Sequence, residues 1–130
     1  APRGAGTCGG SGGGSDPSMI KTYAEKKGDR WKIYGRKWFI TGADGAAHFI
    51  LAARTSDDKR KGITTFLYHK DQPGWRILRR IEIMGPEEHG GHCELEFDGL
   101  EVHDDDVLSH LRQRRAERGR GGRLADAALA

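Results

Sequence analysis

A chain of 130 residues with 35% hydrophobic and 32% charged side chains has room for one modest domain and no long apolar run. No stretch approaches the length of a membrane span, and the N-terminus has no apolar run of the signal-peptide kind. The formal charge of +3 is an end effect: six arginines against Glu117 and Asp126 after residue 110, plus Arg3, leave residues 15–110 at -2. A nucleic-acid footprint needs a basic face on the folded part, so nucleic acid is not expected as a partner. The two cysteines, Cys8 and Cys93, make no disulfide framework. That fits a reducing compartment, the cytoplasm or the mitochondrial matrix.

Residues 1–14 contain seven glycines and no large apolar side chain, and read as a flexible segment. The stretch Gly12-Gly13-Gly14-Ser15-Asp16 can cradle a phosphate through backbone N–H groups, although a plain linker has the same composition. Met19 to Lys27 reads as a strand ended by a turn at Gly28-Asp29. Arg30 to Ile33 and Arg36 to Thr41 read as a hairpin about Tyr34-Gly35. Next come strands at His48 to Thr55 and Ile63 to His69, separated by the charged loop Ser56–Lys61. A turn at Asp71-Gln72-Pro73-Gly74 leads into an extended Trp75 to Ile83. His92 to Phe97 alternates with Cys93, Leu95 and Phe97 on one face and Glu94, Glu96 and Asp98 on the other. Leu100 and Val102 close the sheet. Asp104 to Arg118 is expected to be helical, because three aspartates favour a helix N-terminus. The Arg/Ala-rich tail, 109–130, is expected to be partly helical or disordered. Short strands at this spacing predict a mainly β, antiparallel barrel or sandwich over 15–108.

Function is most legible in Arg36-Lys37-Trp38-Phe39-Ile40-Thr41-Gly42-Ala43. Paired aromatics in a strand usually pack into a core. A strand that closes on Thr41 and turns at Gly42 also brings a hydroxyl and a backbone N–H to the sheet rim, beside an aromatic face. A planar, hydrogen-bonding cofactor needs both. The cluster His89-Gly90-Gly91-His92-Cys93 with His103 lacks zinc-ligand spacing, and His92 and Cys93 point to opposite faces, so no metal is assigned. Cys93 alternates with core residues and reads as an inert buried thiol.

Several motifs, in order, carry a family resemblance over residues 12–108. They are the Gly12–Asp16 loop; Ile20-Lys21-Thr22 through Gly28-Asp29; Tyr34 to Ala43; Gly62-Ile63 to Leu67; Pro73-Gly74; Met84-Gly85; and Glu94-Leu95-Glu96-Phe97 with Val102. Together they resemble the middle β-domain of acyl-CoA dehydrogenases. The resemblance implies FAD as cofactor, an acyl-CoA thioester as substrate and electron-transfer flavoprotein or a similar acceptor as partner. In the family a glutamate base removes the α-proton while the β-hydride passes to the flavin, giving the 2,3-enoyl-CoA. By resemblance Thr41 falls where a hydroxyl or N–H meets the reactive edge of the flavin. Phe39 falls where an aromatic covers the ring, Trp38 takes the neighbouring variable position, and Ser15 lies near the acyl-CoA.

The family's Thr-Glu-Pro before the glycine loop is replaced by Gly9-Gly10-Ser11, Tyr34 replaces a turn asparagine, and His103 stands where proline is usual. At both ends the resemblance gives way to Gly/Arg/Ala-rich sequence, as expected of shifted reading frames or a misassembled gene. Translating the coding DNA in its other frames tests this, and finding no family-like helices there would refute it. The expectation is a fragment that contributes flavin and acyl-CoA contacts, lacks the catalytic base, is inactive alone, and forms a homo-oligomer only with flanking helical domains. The alternatives are a β-barrel interaction module without flavin and, more weakly, nonspecific RNA association through the basic tail.

Overall fold

The computed structural model describes residues 4–7, 17–58, 62–84 and 91–111. Among these residues eight strands form one sheet: β1 Gly4–Thr7, β2 Tyr23–Lys27, β3 Arg30–Thr41, β4 His48–Arg54, β5 Ile63–His69, β6 Trp75–Ile81, β7 His92–His103 and β8 Val107–Leu111. Three-residue 3-10 turns occupy Pro17–Met19 and Asp104–Asp106. The strand order is β6-β7-β3-β2-β4-β5-β8, with β1 pairing alongside β4.

The sheet is mixed and not purely antiparallel as expected, since β1 and β2 both run parallel to β4. The chain reverses after β2 and again after β3, then settles beside β2. A double reversal leaves β4 pointing the same way as β2.

The sheet rolls onto itself. β6 stands far from β4 and β5 in the strand order, yet the Trp75 ring lies 4.9 Å from Phe49 and 5.5 Å from Tyr68. Tyr68 in turn meets Phe97 of β7 edge-on at 5.8 Å. The enclosed core is continuous, with Ile33, Phe49, Leu51, Phe66, Leu95 and Leu100 all fully buried. Each such side chain contributes about 1.5–3 kcal/mol by leaving water.

Two irregularities in the β3–β7 pairing set which of their residues face that core. Along β7 the inward set Cys93, Leu95, Phe97 changes parity to Leu100, Val102, because Gly99 is extra between the pairs Tyr34↔Asp98 and Ile33↔Leu100. Gly99 has φ 78, a left-handed conformation that costs glycine nothing. Along β3 the inward set Trp31, Ile33, Lys37 changes to Ile40, because Trp38 and Phe39 together stand opposite Glu94 alone.

The bounds of β5 and the alternation of the first half of β7 are as the sequence predicts, and β4 begins at the expected His48 but ends one residue early, at Arg54. The turn at Gly28-Asp29 is also where the sequence predicts it, with Gly28 at φ 66, but the second reversal expected at Tyr34-Gly35 is absent: that pair runs on inside the twelve-residue strand β3. Gly35 serves a different need: its φ is 135, and an added Cβ would lie 2.8 Å from the Cα of buried Thr22.

The helix predicted from Asp104 is absent over Asp104–Leu111. The aspartates make one 3-10 turn, and the chain then extends as β8 antiparallel to β5, with Val107 packed on the core. Asp104 commits its carboxylate to tertiary contacts, accepting from the Trp31 indole N–H at 2.8 Å and from Lys26 at 3.0 Å. The Trp31 hydrogen bond, then that of Lys26, holds this carboxyl below the usual range. Pairing with a sheet edge outweighs the charge preference of three residues.

A ladder of ion pairs covers the outer face where β6, β7 and β3 meet. Arg76 reaches Glu96 at 2.6 Å, Arg36 reaches the same carboxylate at 3.3 Å, and Arg79 reaches Glu94 at 2.8 Å. Arg80 pairs with Asp44.

Candidate functional site

Successive side chains on a regular strand point to opposite faces, so Trp38 and Phe39 would not ordinarily share a side. The β3 bulge changes that. Lys37 is buried before it and Ile40 after it, which leaves both aromatics outside, Trp38 37% and Phe39 53% exposed. Their rings stack 5.4 Å apart at 15°. Phe39 has φ 57, which no other non-glycine among the described residues shares in sign. A left-handed bulky residue costs about 1–2 kcal/mol in backbone energy. Here that strain holds a large apolar ring in the open.

Thr41, two residues on, ends β3 directly opposite His92. Its Oγ1 lies 2.9 Å from His92 Nδ1, and the imidazole stands 5.9 Å from the Phe39 ring. Gly42 turns away at φ 72, and its N–H donates to the Gly91 carbonyl at 3.0 Å. The Gly42 N–H is thus committed to the sheet, and the Thr41 hydroxyl stands beside it at the rim.

The surroundings fix the rings. The Arg79 guanidinium lies 5.9 Å over the Trp38 ring and is held there by Glu94. Beneath the rim Cys93 is buried, and burial pushes its thiol up from the ordinary value, as the reading of an inert thiol requires.

Three of the four residues singled out in the sequence, Trp38, Phe39 and Thr41, therefore meet on one exposed rim. The fourth, Ser15, lies outside the described residues with the rest of the Gly12–Asp16 loop, as do His89 and Gly90. His92 and Cys93 face apart, as the alternation predicts, and no group of three or more His, Cys, Asp or Glu among the described residues is placed to hold a metal. Sequence reading missed His92 as the partner of Thr41 and Arg79 as the cap on Trp38. Their sequence separations carry no local signal, and only the pairing of β3, β7 and β6 joins them.

A planar ring cofactor fits this donor set: an exposed aromatic surface to lie against and a hydroxyl at its edge. The family model for the acyl-CoA dehydrogenase middle domain matches residues 9–100. The chain belongs to the acyl-CoA dehydrogenase family. The short/branched chain specific acyl-CoA dehydrogenase of Rattus norvegicus is 34% identical to it over 102 residues, 78% of this chain and 23% of the relative. Isovaleryl-CoA dehydrogenase of Pongo abelii is 32% identical over 100 residues, 75% of this chain and 23% of the relative. In structure, butyryl-CoA dehydrogenase from Megasphaera elsdenii matches with TM-score 0.79 at 27% identity, covering 87% of this chain and 30% of that one. The chain thus spans about a quarter of the length of the curated relatives it matches, and what matches is the middle β-domain. No helix among the described residues is long and apolar enough to cross a membrane.

Proposed function

We propose that this acyl-CoA dehydrogenase middle domain forms the flavin-facing wall of an FAD-dependent acyl-CoA oxidation site. The observation that carries the reading is the strained, exposed Phe39 beside Trp38, with the Thr41 hydroxyl at the same rim. Phe39 covers the isoalloxazine ring, Trp38 extends that surface, Thr41 meets its edge, and Ser15 lies toward the acyl-CoA. When bound, FAD supplies the hydride acceptance, and the chain's own residues bind and orient it. The base that removes the α-proton comes from outside this domain, which accords with a match confined to the middle domain of much longer relatives. On that reading the chain does not turn over acyl-CoA by itself, and passing electrons to an electron-transfer flavoprotein belongs to the complete enzyme.

The test is to purify the chain, record flavin absorbance after incubation with FAD, and assay enoyl-CoA formation with a dye acceptor. Bound flavin without turnover is expected. No flavin even at high FAD concentration favours a β-barrel interaction module instead. Strong, salt-dependent RNA binding would assign the basic tail a role.

A further inference from the structure

We propose that His92 is a positioning residue for the Thr41 hydroxyl, setting the direction in which it offers a hydrogen bond to the cofactor edge; this rests on the flavin reading of the same rim. A threonine hydroxyl has one proton and two lone pairs, and at an exposed rim it rotates freely unless a neighbour holds it. Here the neighbour is His92 Nδ1 at 2.9 Å. His92 cannot easily move away. It is half-buried within the sheet, with its backbone opposite Thr41 on one side and Ile81 of β6 on the other, and its ring lies against Phe39.

Imidazole suits a hydroxyl whose outer partner changes character. An oxidised flavin presents an acceptor nitrogen at its edge, and the reduced ring presents an N–H there. When Nδ1 carries the proton, His92 donates to Thr41 and the hydroxyl proton is free to point outward to an acceptor. When Nε2 carries it, Nδ1 accepts the hydroxyl proton and the oxygen faces outward to receive a donor. One pair thus satisfies both oxidation states of the same edge. A carbon ring in place of His92 leaves Thr41 without an inner partner.

The experiment titrates FAD into the full 130-residue chain and into H92F, H92N, T41V and the T41V/H92F double variant, reading flavin fluorescence and the visible absorption of the bound ring. H92F keeps a ring against Phe39 without nitrogen, while H92N keeps a hydrogen-bonding atom near the place of Nδ1. Expected is a loss of affinity of about tenfold for H92F with a shifted absorption band, near wild-type behaviour for H92N, and a double variant no weaker than T41V. If H92N is weakened as much as H92F, ring packing is what matters and the proposal is overturned. Wild-type affinity and spectrum in H92F overturn it too, and both results leave the flavin reading standing. A wild-type chain that binds no FAD overturns both together. Should H92F not fold, the proposal is decided by H92N against T41V, and equal weakening of the two refutes it.

Discussion

The two bulges in the β3–β7 pairing solve the same geometric problem with opposite residues. In β7 the left-handed position is Gly99, φ 78, and an added Cβ there would meet nothing nearer than the Tyr34 ring at 3.8 Å. In β3 it is Phe39, φ 57, with more than half of its surface exposed. The first bulge is built at no conformational cost and keeps Leu100 and Val102 facing the core. The second carries a cost that glycine would have avoided, in exchange for a ring that the fold does not bury. Strain retained where glycine would have relieved it is what the proposed flavin contact of Phe39 would require.

That contrast can be broken at several points. Leu95 lies between the bulges and is fully buried, so Leu95→Ala should have the largest effect, about 2–5 kcal/mol in urea unfolding. A loss under about 1 kcal/mol would mean the bulges do not frame a packed core. Gly99→Ala comes next. Because the added methyl has space, its cost is the backbone term alone, about 1–2 kcal/mol. At the other bulge the sign reverses. Phe39→Gly should be more stable than Phe39→Ala by about 1 kcal/mol, while both lose flavin affinity relative to wild type. Equal stabilities would show that Phe39 is not strained.

The smallest effect concerns pH and tests a region remote from both bulges. Asp104 has its carboxyl held low by Trp31 and Lys26, so its contribution is present above the unfolded pKa and lost as pH falls through the lower folded one. Stability measured from about pH 5 down to about pH 2 should fall less steeply in Asp104→Asn than in wild type. Parallel curves would mean that Asp104 adds nothing to the acid sensitivity of the fold.

Much of this was open to a reader of the sequence. The alternation from Cys93 to Phe97 and the strand from Ile63 to His69 follow from local pattern, and so does the end of β3 at Thr41, whereas the outward facing of both Trp38 and Phe39 depends on the bulge between them and Glu94. What stayed hidden has a common cause. A bulge shifts the period of two by one residue, so alternation read through Gly99 or Phe39 assigns the wrong face beyond it. Tyr34-Gly35 has turn composition, yet its glycine accommodates Thr22 within a strand. The three aspartates at Asp104 have helix-start composition, yet their chain is claimed by the edge of β5. Thr41 and His92 are linked by register, which no local window contains.

The arginine ladder has a consequence for how these molecules meet one another. β6 ends the strand path, so its outer backbone edge is a template on which a strand from a neighbouring chain could assemble. Arg76, Arg79 and Arg80 are paired with acids at Glu96, Glu94 and Asp44, and this fixes bulky charged groups beside that edge. An incoming strand would have to desolvate guanidinium groups to dock, so the same contacts that tie β6 to β7 also guard the sheet against edge-to-edge aggregation.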